Sequence, residues 1–280
     1  MHREANEVAQ QVGNNSAAAL HKQFCLFRQL YAGSNLIDVK EEIEHEMKMI
    51  EHDHSSPVSG MLGMRYKIVY HRVLTLIGDD PSNSSRDIDD WYFDHDVAYL
   101  VNQMFTEIFF GHYERANYMA EQCKKLVDKR VMNNFRALYL NFYWGLSMIG
   151  VLRKKGSKSK TMLQKIRVCS KTMSRASECS DWNFKNKTSL LKAEQFSLSS
   201  DDKEAAKEYD TAIKAAQASK FIHEEGLAAE LAAMHHQRLG NNTTALSLFS
   251  QARECYKQWG SNAKVRQVTE KISRLQDSES

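Results

Sequence analysis

A chain of 280 residues with 42% hydrophobic and 26% charged side chains has the balance of an ordinary folded, water-soluble protein, and it is too long for most single compact cores unless they are barrels or elongated stacks. Its two prolines, Pro57 and Pro81, leave room for long uninterrupted helices, and no alternating Val/Ile/Thr runs bounded by Asn-Gly turns announce strands, so the expected fold class is all-α. Five scattered cysteines (Cys25, Cys123, Cys169, Cys179, Cys255), odd in number and never in a CxxC pair, argue against a disulfide framework or a zinc site and for a reducing, cytoplasmic location.

In chain order, residues 1–15 read as a polar tail. Leu20, Phe24, Phe27 and Leu30 then share one helical stripe, closed by Gly33-Ser34-Asn35, whose first and last residues accept the left-handed conformation that ends helices. Further helices are expected over about 36–52 and 58–77, so 16–78 forms a set of N-terminal helical hairpins. "GDDPSNSSRD" marks a polar linker, assigned to 79–90. From 91 to 275 the periodicity predicts an array of helices, at about 92–110, 113–129, 132–152, 158–178, 185–198, 202–218, 222–239, 243–258 and 261–275. Residues 276–280 close the chain as a tail. Short polar turns between these helices force neighbours antiparallel, which describes a stack of helical hairpins. The most apolar run, "ALYLNFYWGLSMIGVL" at 137–152, is short for a membrane span and contains Asn141, so it reads as a buried core helix.

The net charge of +3 is unevenly spread. Residues 37–54 carry seven acids against Lys40 and Lys48, whereas 121–175 carry fourteen Lys or Arg against Glu121 and Asp128. Within the second stretch Arg153, Lys154, Lys155, Lys158, Lys160, Lys165 and Arg167 form a candidate basic patch for phosphate contacts. It lacks the interleaved aromatics that stack on bases, so nucleic-acid or anionic-surface binding is the second reading and solvated helix faces the simpler one.

No sequence motif carries chemistry. "GVLRKKGSKS" has five residues between Gly150 and Gly156 where a phosphate loop has four, and it follows a helix where that loop follows a strand. "HEMKMIEHDH" places Met49 where a zinc-protease pattern needs its second histidine, although His45 and His52 could share a face. "DIDDWYFDHD", around His95, lacks the central glycine and closing glutamate of a calcium loop. His235-His236 are read as half-buried helix residues beside Ala232 and Leu239. No catalytic, cofactor-binding or metal residue is assigned, and no cofactor is expected.

The positive signal is a spacing. Taking Gly240 as the turn of a tetratricopeptide-like hairpin puts Ala233 at the close-approach position before it, and Ala245, Phe249 and Ala252 on the inner stripe after it. Tyr256 and Trp259 continue that stripe. The same template fits forty residues earlier, with Ser200 at the turn, Ala193 and Phe196 before it, and Ala205, Tyr209 and Ala212 after it. A weaker copy has Gly111 at the turn and Ala116 following. Small residues let backbones approach and one ring per hairpin fills the gap between layers, so stacking stabilises units that cannot bury their own apolar faces.

The segment from "AAKEYDTAIKAAQASKF" through "EEGLAAELAAMHHQRLG" to "YKQWGSNAKV" resembles the helical-repeat segment of very large multidomain signalling proteins. Those proteins combine a serine/threonine-kinase-like domain, an AAA-type ATPase, helical repeats, a GAF sensor and often a histidine kinase. The residues that match are 209–213, 225–233 and 256–265, with Gly226 and Ser261 standing where the family has other residues. Upstream, Asn183, Phe184, Ala193 and Glu194 match another of its segments, while "CSD" replaces a cysteine-proline. The resemblance implies a tetratricopeptide-like solenoid that scaffolds or regulates a signalling ATPase or kinase through a protein partner or other domains of the same polypeptide, with the kinase, ATPase and sensor domains outside these residues. A non-enzymatic role is the expectation, with no membrane span.

Overall fold

A computed structural model describes residues 15–52, 57–79, 97–126, 135–156 and 159–278. Among them the chain forms twelve α-helices and no strand. They are α1 (Asn15–Ala32), α2 (Leu36–His52), α3 (Pro57–Ile77), α4 (Val97–Phe109), α5 (Tyr113–Leu126) and α6 (Phe135–Lys155), followed by α7 (Lys160–Cys179), α8 (Asp181–Leu198), α9 (Asp202–Ala218), α10 (Ile222–Arg238), α11 (Asn242–Trp259) and α12 (Asn262–Asp277). The linker from 80 onward, "DIDDWYFDHD" and Lys158 lie outside the described residues. No described helix is long and apolar enough to cross a membrane.

The apolar run at 137–152 becomes the middle of α6, which packs against α4, α5, α7 and α8 and is buried along most of its length. Its polar residues turn inward on their own backbone: Asn141 Nδ2 donates to the Ala137 carbonyl at 2.7 Å, and Ser147 Oγ to that of Trp144 at 2.8 Å. Helix α8 begins four residues before the sequence pattern predicts. Ser180, with φ −156°, breaks α7 from α8, and Asp181 puts a negative charge in the first turn, where its carboxylate accepts from Ser177 Oγ at 2.8 Å and pairs with Lys185.

The second half follows a strict rhythm. Left-handed residues occur at Ser200, Lys220, Gly240 and Gly260, twenty apart, and each ends a helix of 17 or 18 residues. After each, the next amide reaches back five residues: Asp201 to Phe196, Phe221 to Ala216, Asn241 to His236 and Ser261 to Tyr256, all at 2.9–3.0 Å. This is the bond that satisfies carbonyls orphaned at a helix end. Ala193, Ala205, Ala212, Ala233, Ala245 and Ala252 are wholly buried, as are Phe249, Tyr256 and Trp259, with Tyr209 all but so. Phe196 packs against the core half-buried, and Gly240 is exposed. Gly226 has a steric reason, since a Cβ there would lie 2.9 Å from Tyr256 Cε1 and 3.1 Å from Cys255 Cβ.

Helix ends from the first and last parts of the chain are tied together. Asn35 Nδ2 donates to the Gln258 carbonyl at 3.0 Å, Ser261 Oγ to that of Leu76 at 2.6 Å, and Gln267 Nε2 to that of Phe110 at 3.2 Å. Ser261 is thereby explained, because alanine could not satisfy Leu76. Between these contacts His223 sits fully buried in an aromatic nest, stacked on Phe109 at 5.8 Å with Trp259 at 5.3 Å and Phe105 at 6.0 Å. Among the described residues neither ring nitrogen has a hydrogen-bond partner. Burial, aided by the Lys187 charge, therefore holds the imidazole neutral, well below the ordinary histidine range.

Only the unfolded chain can take up a proton on His223 as pH falls through about 6.5, so stability is complete above that pH and declines below it. His223→Phe keeps the ring and removes the proton uptake. Urea unfolding at a series of pH values from about 8 to 5.5 should show a shallower loss of stability for this variant than for the parent. The slope is not abolished, because burial lowers His235 and His236 in the same direction. Identical slopes would refute the assignment.

Candidate functional site

The basic residues singled out in the sequence separate into two groups. Arg153 Nη1 binds the buried Glu194 carboxylate at 2.6 Å, Lys154 pairs with Glu114 at 2.7 Å, and Lys165 pairs with Glu121 at 2.8 Å while lying 5.3 Å from the Trp144 ring centre. Lys155, Lys160 and Arg167 are exposed, and among the described residues no hydrogen bond or ion pair engages their side chains. Of the phosphate-loop look-alike, Gly150 faces the Tyr113 ring, which a Cβ would strike at 2.2 Å, and Gly156 takes φ 58° beside open space. Those two glycines serve packing and a turn. His45 is exposed on α2, and among the described residues no three His, Cys, Asp or Glu side chains are grouped to hold a metal.

Arg153 and Arg167 line one cleft, of about 770 Å3, formed by the C-terminal ends of α6, α8 and α10 with the first turns of α7. Three further residues of its polar lining interact with one another, and the sequence pattern had not brought them together: Ser197 on α8, with His235 and Arg238 on α10. Ser197 Oγ accepts from Arg153 Nη2 at 3.3 Å and from Arg238 Nη2 at 2.9 Å, and it lies 3.0 Å from His235 Nδ1. With both lone pairs of the hydroxyl engaged by guanidinium donors, its proton goes to Nδ1, which places the imidazole hydrogen on Nε2. Among the described residues that nitrogen has no hydrogen-bond partner, and the Asp202 Oδ1 oxygen is 3.9 Å away. Burial and the Arg238 charge keep His235 below its usual range, in keeping with a neutral ring.

Behind the cleft Glu194 is almost fully buried and accepts from Tyr209 Oη as well as from Arg153. The carboxylate neutralises Arg153 and fixes its fork, while Arg167 and Arg238 keep donors to offer. The cleft is lined as well by the apolar Leu152, Leu163, Ile166, Leu198 and Leu239.

A second cleft, of about 590 Å3, lies where α9, α10 and α11 meet and contains Cys255. Burial and the neighbouring Glu225 push that thiol up to about 12, so it stays protonated at neutral pH and is no nucleophile. The first cleft, with converging donors, is the better candidate for recognition.

No protein-family model matches the chain, and no curated protein matches its sequence.

Removing Arg153 takes away the cation bonded to the buried Glu194 carboxylate and leaves Tyr209 as its hydrogen-bond donor, with the Arg238 charge nearby. Arg153→Ala is expected to cost about 3 kcal/mol in equilibrium unfolding, the low end for orphaning a buried charge. Lys154→Ala, which breaks an exposed pair, should leave the unfolding midpoint nearly unchanged. Equal effects of the two substitutions would contradict this division of the basic region.

Proposed function

We propose that this chain is a non-catalytic helical-repeat module, stacked from antiparallel tetratricopeptide-like hairpins, that holds a protein partner or another domain of a larger signalling polypeptide. The observation that supports the reading best is the twenty-residue spacing of left-handed turns, with alanines buried at matching positions forty residues apart. Such a register builds a stack by repetition, and stacks of this kind act through their faces. The resemblance of residues 209–265 to the repeat segment of kinase- and ATPase-containing signalling proteins supports a regulatory or scaffolding role in such a system. Five free cysteines accord with a reducing, cytoplasmic setting.

The second reading, binding of nucleic acid or another anionic surface through residues 124–175, draws on the unpaired Lys155, Lys160 and Arg167. It is weakened because Arg153, Lys154 and Lys165 are already matched to carboxylates.

The isolated chain is expected to show no ATP turnover and to form a one-to-one complex with a purified partner domain that persists in high salt. Nucleotide hydrolysis by the chain alone would overturn the reading. Filter binding of random RNA and DNA decides for the second one if affinity is micromolar and falls steeply with salt.

A further inference from the structure

We propose that the cleft between the ends of α6, α8 and α10 binds a small organic anion, with a carboxylate or phosphate head on an apolar body. The inference stands apart from the interaction reading, since it requires only this pocket.

Size comes first. A volume of about 770 Å3 falls within the range of small-molecule sites, roughly 300–1,000 Å3, and far exceeds what a bare anion fills. Charge decides the head group. Arg153 is paired with Glu194, whose charge also acts on Arg238, and the lining holds Arg153, Arg167 and Arg238 against a single acid, Asp202. Among the described residues no hydrogen bond or ion pair engages Arg167, and Arg238 is held by Ser197 through one nitrogen and also hydrogen-bonds Tyr209, so donors remain on both guanidinium groups. Planar guanidinium forks recognise two-oxygen anionic groups, carboxylate and phosphate alike.

Geometry inside the cleft adds a further donor. His235 is almost fully buried, and its Nε2–H is directed by the Ser197 bond to Nδ1 and lacks an acceptor. A buried donor left without an acceptor is costly, and an anionic oxygen that reached it would remove that cost. The Asp202 carboxylate lies 3.9 Å from that nitrogen and is partly exposed. The remaining wall fixes the body. Leu152, Leu163, Ile166 and Leu198 present hydrocarbon, and Leu239 stands 43% exposed at the rim. A ligand that is charged throughout would leave this wall wet.

Isothermal titration of the full chain with octanoate and with phenyl phosphate tests the proposal, and the tighter ligand identifies the head group. Acetate and inorganic phosphate supply the head alone, and octylamine supplies the body with the opposite charge. At least one amphipathic anion should bind one-to-one, more tightly than its head alone, while octylamine does not bind. Arg167→Gln should weaken that binding about tenfold, the loss of one charge-assisted contact. Because Arg167 is exposed and unpaired among the described residues, the variant's unfolding midpoint should match the parent's, which separates lost binding from lost folding. Absence of binding by both anions, equal binding of octylamine, or unchanged affinity in Arg167→Gln would each overturn the proposal.

Discussion

Three glutamates buried among alanines and aromatic rings set the constraint on which this structure depends. Glu194, Glu224 and Glu230 lie on α8 and α10, each no more than 4% exposed. A carboxylate taken out of water must be met by donors, and here the donors come from other helices. Glu194 is met by Arg153 of α6 and Tyr209 of α9, and Glu224 by Lys187 and Asn186 of α8. Tyr256 of α11 with Lys264 and Lys271 of α12 meets Glu230, at 2.6–2.8 Å. Burial alone would raise the Glu230 carboxyl, but the two ammonium groups overcome it and hold it at about 2. Its contribution to stability is therefore complete above about pH 4.5 and is lost as pH falls toward 2. Such pairs contribute less to net stability than hydrocarbon would; what they enforce is which helix sits beside which.

That constraint also sorts the charged residues between inside and outside. The interior carboxylates draw Arg153, Lys187 and Lys264 into ion pairs, so part of the chain's positive charge never reaches solvent as free charge. Burial lowers the Lys187 and Lys264 ammonium groups even as their glutamates work to raise them. Arg167 and Arg238 line a cleft that Arg153, paired with the buried Glu194, also lines. Recognition chemistry at that cleft is thus built on a structural ion pair, with Ser197 as the shared acceptor that orients one guanidinium and one imidazole.

Much of the helical order was legible in the sequence because it rests on local rules. The recurrence of alanines and rings after Ser200 and Gly240 is a helical-period pattern, and those positions are interior. Lys220, equally left-handed, was not visible, because lysine carries no turn signal and its conformation follows from the five-residue closing bond around it. The attachment of α1–α4 to α10–α12 was hidden for a different reason. It uses helix-end carbonyls such as Leu76 and Gln258, which every residue type possesses, across separations of 185 and 223 residues. The basic patch was legible as composition, but its division into paired and unpaired charges was not, since Glu194, Ser197 and Arg238 reach it from other helices.

The central claim is that buried carboxylates couple neighbouring helices, and a double-mutant cycle measures it most directly. Glu230→Gln, Lys264→Met and the double variant, compared by urea unfolding at neutral pH, isolate the energy of one such link between α10 and α12. The account predicts a coupling of about 1–3 kcal/mol, with the double variant recovering much of what either single variant loses. Additive losses, with a coupling below about 0.3 kcal/mol, would mean that the two groups do not meet in the folded chain.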